Sequence, residues 1–213
     1  VLPVSLEPFF AGRLATDGVI RGREDLLSLD VARTAPDVLA VRALVPLARA
    51  RAATEERRHR ATHGCGALYL ATCAPRIDHS LVEPPDPARF AELFRTLFDE
   101  ADRRYDGGVH AAALSDGETL RHQHEDVGRH NAVDKAIGAA VLAGEDPTRF
   151  GLVLTARVSG EIAAKAARCS IAWIASRSIP TSLALRIADA RGIAIIARAP
   201  GRNVTVYPQG AGA

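Results

Sequence analysis

The stretch LVLTARVSGEIAAKAARCSIAWIASRSIPTSLALRIADARGIAIIAR, residues 152–198, alternates two kinds of segment. LVLTAR, IAWIAS and IAIIAR are short and almost wholly apolar, the pattern of strands covered on both faces. EIAAKAARC and SLALRIADA lie between them and read as helices, with Gly192 placed as a C-cap glycine and Ser159 and Thr181 or Ser182 as N-caps. Strands alternating with helices of about ten residues imply parallel pairing with helices on the sheet faces.

Working back from that stretch, Asp86-Pro87 forms an N-cap and first-turn pair. Phe90, Leu93, Phe94, Leu97, Phe98 and Ala101 then recur at helical spacing, which predicts a helix over 87–104. GGVHAAALSD and ETLRHQHED read as two strands joined at Asp116-Gly117. A helix from Arg129 to Leu142 follows, and VTVY closes the chain as a short strand. The fold class is therefore α/β, with residues 83–213 a three-layer α/β/α sandwich entered through an antiparallel hairpin. Residues 1–82 read as a small N-terminal lobe, set off by the proline-rich VEPPDPA. Within that lobe AGRLATDGVIRGREDLLSLDVA reads as two short helices about a glycine turn, and DVLAVRALV (37–45) as a strand.

The 213 residues carry 47% hydrophobic and 24% charged side chains, the mix of a globular chain with one good-sized core. No apolar run is long enough for a membrane span, and VLPVSLEPFF has no basic n-region or long apolar h-region, so no membrane or secretory role is expected. A net charge of +2 argues for no nucleic-acid partner. RARAATEERRHR (49–60) reads as a solvated loop or, alternatively, as a contact for an anionic ligand. Three cysteines, Cys65, Cys73 and Cys169, suit a reducing cytoplasm rather than a disulfide framework. Of 27 basic residues only Lys135 and Lys165 are lysine, which suggests positions that need a compact ammonium.

Ligands of such sheets bind at the carboxyl ends of the strands. Polar groups gather there: Glu125, Asp126, Arg129, His130 and Asn131 after the second hairpin strand, Arg157 and Ser159 after LVLTA, Ser182 after IAWIA, and Arg202 after IAIIA. Hydroxyls, arginines and free N–H groups are the inventory of a phosphate site. Asp134 and Lys135 read either as exposed helix charges or as part of it. His122 and His124 sit two apart on a strand and read as solvent-facing; the absence of H-x-E and C-x-x-C argues against a tightly bound zinc. Cys65, between two glycines and after His63, reads as an accessible thiol or as a small residue in a tight turn. Cys169, at the end of an amphipathic helix, reads as core.

GGVHAAAL, EDVGRHNAVDK, ASRSIPTSLA and GRNVTVY resemble the C-terminal domain of the FdhD family, the formate dehydrogenase accessory sulfurtransferases, and GRLATDGVI with REDLLSLD resembles its N-terminal region. The resemblance covers roughly residues 11–207. It implies a cytidine deaminase-like fold and a cytoplasmic homodimer. It also implies sulfur taken as persulfide from a cysteine desulfurase and passed to the molybdenum bis-guanine-dinucleotide cofactor of formate dehydrogenase or a related molybdenum or tungsten enzyme. By that resemblance Cys65 carries the sulfur. Gly108, His110, Glu125, Asp126, Arg129, His130, Asn131, Lys135, Arg157, Ser159, Ser182 and Arg202 form the cofactor pocket or its support, with GDP a partial mimic. Arg129, Lys135 and Arg157 counter phosphate charge, and Asp126 accepts guanine N–H groups.

The chain departs from the family pattern in three places. Family C-G-x-C-G is CGALY here, with Leu68 in place of the second cysteine. Little sequence precedes GRLATDGVI, so part of the family's N-terminal lobe is expected to be absent. Family SGRASFE is TARVSGE, with Gly160 at an aromatic position. The alternative implied by these changes is a cofactor-binding chaperone without sulfur transfer.

Overall fold

A computed structural model of the protein describes residues 2–35, 38–62, 84–201 and 203–207. Its helices are α1 (Leu6–Thr16), α2 (Leu47–Thr62), α3 (Pro87–Tyr105), α4 (Arg129–Leu142), α5 (Gly160–Arg168) and α6 (Ser182–Arg191). Its strands are β1 (Ser28–Ala35), β2 (Val38–Leu44), β3 (His110–Ser115), β4 (Leu120–Asp126), β5 (Gly151–Leu154), β6 (Trp173–Ser176), β7 (Ala194–Ala197) and β8 (Thr205–Tyr207). The architecture is mixed α/β. β1 and β2 pair alone, and the other strands form a six-stranded sheet in the order β4-β3-β5-β6-β7-β8. β5, β6 and β7 are mutually parallel, while β4–β3, β3–β5 and β7–β8 are antiparallel.

The apolar strands work as the strict alternation of side chains demands. Leu152, Leu154, Ile174 and Ile195 enter one core with residues of α1, α4, α5 and α6. Val153, Trp173, Ala175 and Ile196 enter the other core, beneath Phe90, Leu93, Phe94 and Leu97 of α3. Phe90 meets Trp173 edge to face with centroids 5.9 Å apart, a preferred aromatic geometry. Ser159 caps α5 by accepting from Ile162 N–H, Thr181 caps α6 by accepting from Ala184 N–H, and Gly192 ends α6 at φ 71°.

α1 is pressed onto α4 through two glycines. A Cβ at Gly12 would sit 1.7 Å from the Asp134 carbonyl oxygen, and one at Gly138 would sit 1.8 Å from that of Pro8. An alanine at either position would force the helices apart. α1 thus shares the core of the six-stranded sheet.

Three sequence readings are corrected. The second short helix expected near residues 23–32 is a single 3-10 turn, Arg23–Asp25, followed by β1, whose partner β2 supplies backbone hydrogen bonds that local propensity does not reveal. RARAATEERRHR is not a loop but lies in α2: alanine, arginine and glutamate favour helix, and the Pro46 carbonyl accepts from Arg49 and Ala50 N–H to start it. His122 and His124 do not form a solvent-facing pair. The β3–β4 register shifts between Ala112 and Leu114, His122 adopts φ 50°, and its ring lies 3.3 Å from Glu145 with its side chain 17% exposed. Burial lowers the His124 pKa to about 4, an effect to which Lys135, His122 and Arg104 add and which the charge of Glu125 opposes. Among the described residues no helix is long and apolar enough to cross a membrane.

Candidate functional site at the strand ends

The carboxyl ends of β4, β5, β6 and β7 lie along one edge of the sheet with the start of β3. The loops there are tied to one another. Thr155 Oγ1 accepts from Ala111 N–H at 3.1 Å, and Ala111 carbonyl accepts from Thr155 N–H at 3.0 Å. Ser176 Oγ, fully buried, donates to Ala156 carbonyl at 2.6 Å and accepts from Ser178 N–H at 3.0 Å. Arg198 N–H donates to Ser178 carbonyl at 3.1 Å. These bonds hold the edge in one shape.

At the β4–α4 corner the side chains of Asp126 and Lys135 are fully buried, and they pair at 2.8 Å. Asp126 Oδ1 accepts from Gly128 N–H at 2.9 Å and from Asn131 Nδ2 at 3.0 Å. Its Oδ2 accepts from Lys135 Nζ and from Leu2 N–H at 2.9 Å. Burial by itself would raise the Asp126 pKa, but the hydrogen bonds from Lys135, Gly128, Asn131 and Leu2 outweigh it and hold the carboxyl below its usual range. Lys135 Nζ also donates to the carbonyls of Glu125 at 3.2 Å and Leu2 at 3.3 Å. Gly128, at φ −95°, is not in a left-handed turn. It is small because a Cβ there would meet Asn131 Nδ2 at 2.9 Å.

His130 Nε2 lies 3.2 Å from Ser159 Oγ and 3.0 Å from Glu161 Oε2. The first turn of α4 is thereby joined to the N-cap of α5, and two helix N-termini meet at one point. Burial lowers the His130 pKa; the Glu161 charge opposes that, and Arg129 and Lys165 add to it. His110, opposite Asp126 in the β3–β4 register, is lowered by burial and by Arg129. Arg157, Ser182 and Arg198 are exposed. Arg177 is turned toward α3, its guanidinium 5.0 Å from the Phe98 ring centroid, a cation–π contact.

The structure sorts the residues singled out in the sequence into groups. His110, Arg129, His130, Arg157, Ser159 and Ser182 belong to the strand-end edge. Asp126, Asn131 and Lys135 lie beneath it, occupied with one another. Glu125 points to the opposite face of the sheet, where its carboxylate is 3.2 Å from Arg104 and 3.2 Å from Gln123. Gly108 is exposed in the α3–β3 turn at φ +75° with open space around it. Cys65 and Arg202 lie outside the described residues, as does Cys73. Asp134 and Lys135 are not exposed helix charges; both are buried on the inner face of α4. Cys169, as expected, packs against the core, and burial pushes its thiol up to about 12. Gly160 leaves room for Leu183, whose Cδ2 would be 2.6 Å from an added Cβ, so this chain fills with α6 the space an aromatic residue would need.

Sequence reasoning missed Leu2 and Thr155. Leu2 acts through its backbone and carries no residue-type signal. Thr155, the polar end of an apolar strand, was open to recognition.

These features define a mixed α/β protein with polar loops and two helix N-termini gathered at the carboxyl edge of its sheet. The FdhD/NarQ family model matches residues 1–211, and the chain belongs to that family. It is 32% identical over 212 residues to the sulfur carrier protein FdhD of Xanthomonas euvesicatoria pv. vesicatoria, covering 96% of this chain and 75% of that protein. It is 33% identical over 208 residues to the sulfur carrier protein FdhD of Burkholderia cenocepacia, covering 91% and 74%. The crystal structure of a candidate formate dehydrogenase accessory protein from Desulfotalea psychrophila superposes with a TM-score of 0.71 at 27% identity, over 97% of this chain and 79% of that one.

Proposed function

We propose that this protein is a sulfur carrier that sulfurates the molybdenum bis-guanine-dinucleotide cofactor on behalf of a formate dehydrogenase. The structural observation that supports the reading is the His130–Ser159 contact. It brings the N-termini of α4 and α5 together beside the exposed Arg157. Free N–H groups and positive helix ends suit the phosphates of a dinucleotide cargo. Arg129 and Arg157 are the cations for those phosphates, and Ser182 is an exposed hydroxyl for the same ligand. Asp126 and Lys135 support the edge from below, because their polar atoms are already engaged. The six-stranded sheet, with helices packed on both faces, is compatible with a cytidine deaminase-like fold.

Cys65 receives the sulfur in this reading. The sulfane sulfur of a desulfurase persulfide passes to the Cys65 thiolate, leaving the desulfurase thiol and a Cys65 persulfide. Cys169 is no competitor, since burial keeps it protonated.

The test is intact mass after incubation with a cysteine desulfurase and cysteine. Wild type is expected to gain one sulfur atom and Cys65→Ala none. Calorimetry with GDP is expected to show binding that Arg157→Ala weakens. A wild type that binds no guanine nucleotide overturns the reading. Leu68, standing where the family has a second cysteine, favours one other reading, a cofactor-binding chaperone without sulfur transfer. GDP binding together with no sulfur gain would select it.

A further inference from the structure

We infer that the backbone of Leu2 is a latch that sets the position of the α4 N-terminus, with Asp126 and Lys135 as positioning residues between them. The inference deepens the proposed site and rests on that reading for its effect on ligand binding, though not for the latch itself.

Leu2 makes two backbone contacts 124 and 133 positions away in sequence. Its N–H donates to Asp126 Oδ2 at 2.9 Å, and its carbonyl accepts from Lys135 Nζ at 3.3 Å. Both partners are fully buried and form one ion pair. The backbone of Leu2 therefore serves both charges at once, its N–H donating to the anion and its carbonyl accepting from the cation. On its other oxygen Asp126 holds Gly128 N–H and Asn131 Nδ2, the turn from which Arg129 and His130 start α4. The route from Leu2 to the edge is short: Leu2 N–H, Asp126 carboxylate, Gly128 N–H, then the first turn of α4.

The latch is held in place from below. Leu2 precedes α1, and α1 is fixed to α4 by the glycine contacts at Gly12 and Gly138. Displacing α1 would withdraw Leu2, and Asp126 and Lys135 would each lose a partner while still buried. A buried polar group left short of a hydrogen bond relaxes toward water, and here relaxation would pull on Gly128. Only backbone atoms of Leu2 take part, so the device tolerates any side chain at this position that keeps an N–H. Proline is the residue that cannot serve.

The experiment compares Leu2→Pro with Leu2→Ala. Hydrogen exchange is read at Gly128, whose amide bonds Asp126 directly, and at Val153 and Ile174 in the central strands. In Leu2→Pro the Gly128 amide should exchange about tenfold faster or more, the equilibrium equivalent of one hydrogen bond to a charged group. Val153 and Ile174 should keep wild-type rates, and Leu2→Ala should match wild type throughout. GDP affinity should fall in Leu2→Pro in step with Gly128 opening. An unchanged Gly128 rate, or equal acceleration of Gly128 and the central strands, overturns the latch. If wild type binds no GDP, the proposed function fails while the exchange data still decide the latch. Should Leu2→Pro not fold, a chain starting at Ser5 replaces it with the same expectations.

Discussion

Lys165 Nζ lies 2.6 Å from Asp134 Oδ1 and 2.7 Å from Oδ2, so both oxygens of one buried carboxylate hold one ammonium. Thr16 Oγ1 donates to the same Oδ1 at 2.7 Å and accepts from Lys165 at 3.2 Å, which joins α1, α4 and α5 at one point. The chain has two lysines, and both end in buried pairs of this kind, Lys165 with Asp134 and Lys135 with Asp126.

Removing one member of such a pair leaves a buried charge without its partner. Lys165→Met is expected to cost about 3–5 kcal/mol, and Lys165→Met with Asp134→Leu to recover much of it. Urea unfolding of the single and double variants checks this. A double variant no more stable than the single would contradict the account.

Stability should fall on acidification in two stages. His124 and His130 have folded pKa values below the ordinary 6.5, His124 at about 4. Between those values the unfolded chain binds protons that the folded chain refuses, so stability declines as pH drops from 6.5 toward 4. The contribution of Asp126, whose folded pKa is depressed, is intact above its unfolded value of 3.8 and is lost as pH falls below it. Urea midpoints across pH 7 to 3 give the profile. His124→Gln should flatten the upper stage, and an unaltered slope in that variant would sink the assignment.

Ser159 and Thr181 cap neighbouring helices, but only Ser159 also meets His130. Alanine at either cap should cost about 1 kcal/mol of stability. Ser159→Ala alone should also weaken GDP binding, because α4 and α5 lose their bridge. Equal effects of the two variants on GDP would show that the bridge plays no part.

Gly160→Phe drives an aromatic ring into Leu183. Overpacking of this sort costs about 1–3 kcal/mol. Leu183→Ala in the same chain should return part of that loss by vacating the space. Thermal unfolding of both variants decides the point, and no rescue would mean that Leu183 is not the obstacle.

Much of the fold was legible because it depends on local periodicity. The apolar runs at 152–154, 171–175 and 193–197 declare strands covered on both faces, and the caps at Ser159, Thr181 and Gly192 mark helix ends. β1 was not legible, since its hydrogen bonds come from β2 and its side chains carry no clean alternation. The register shift that separates His122 from His124 was equally hidden, because a bulge depends on how two strands fit together.

The candidate site divides in the same way. From the sequence alone come the residue types gathered at the strand ends, the family motif EDVGRHNAVDK and the scarcity of lysine. Only the tertiary structure decides what those residues do. It turns Glu125 away from the edge, buries Asp126 and Lys135 beneath it, joins His130 to Ser159 and brings the Leu2 backbone to Asp126. The physical reason is range. Propensity and periodicity act over a few residues, whereas a carboxylate's protonation, burial and use depend on which distant groups packing sets within 3 Å or so of it.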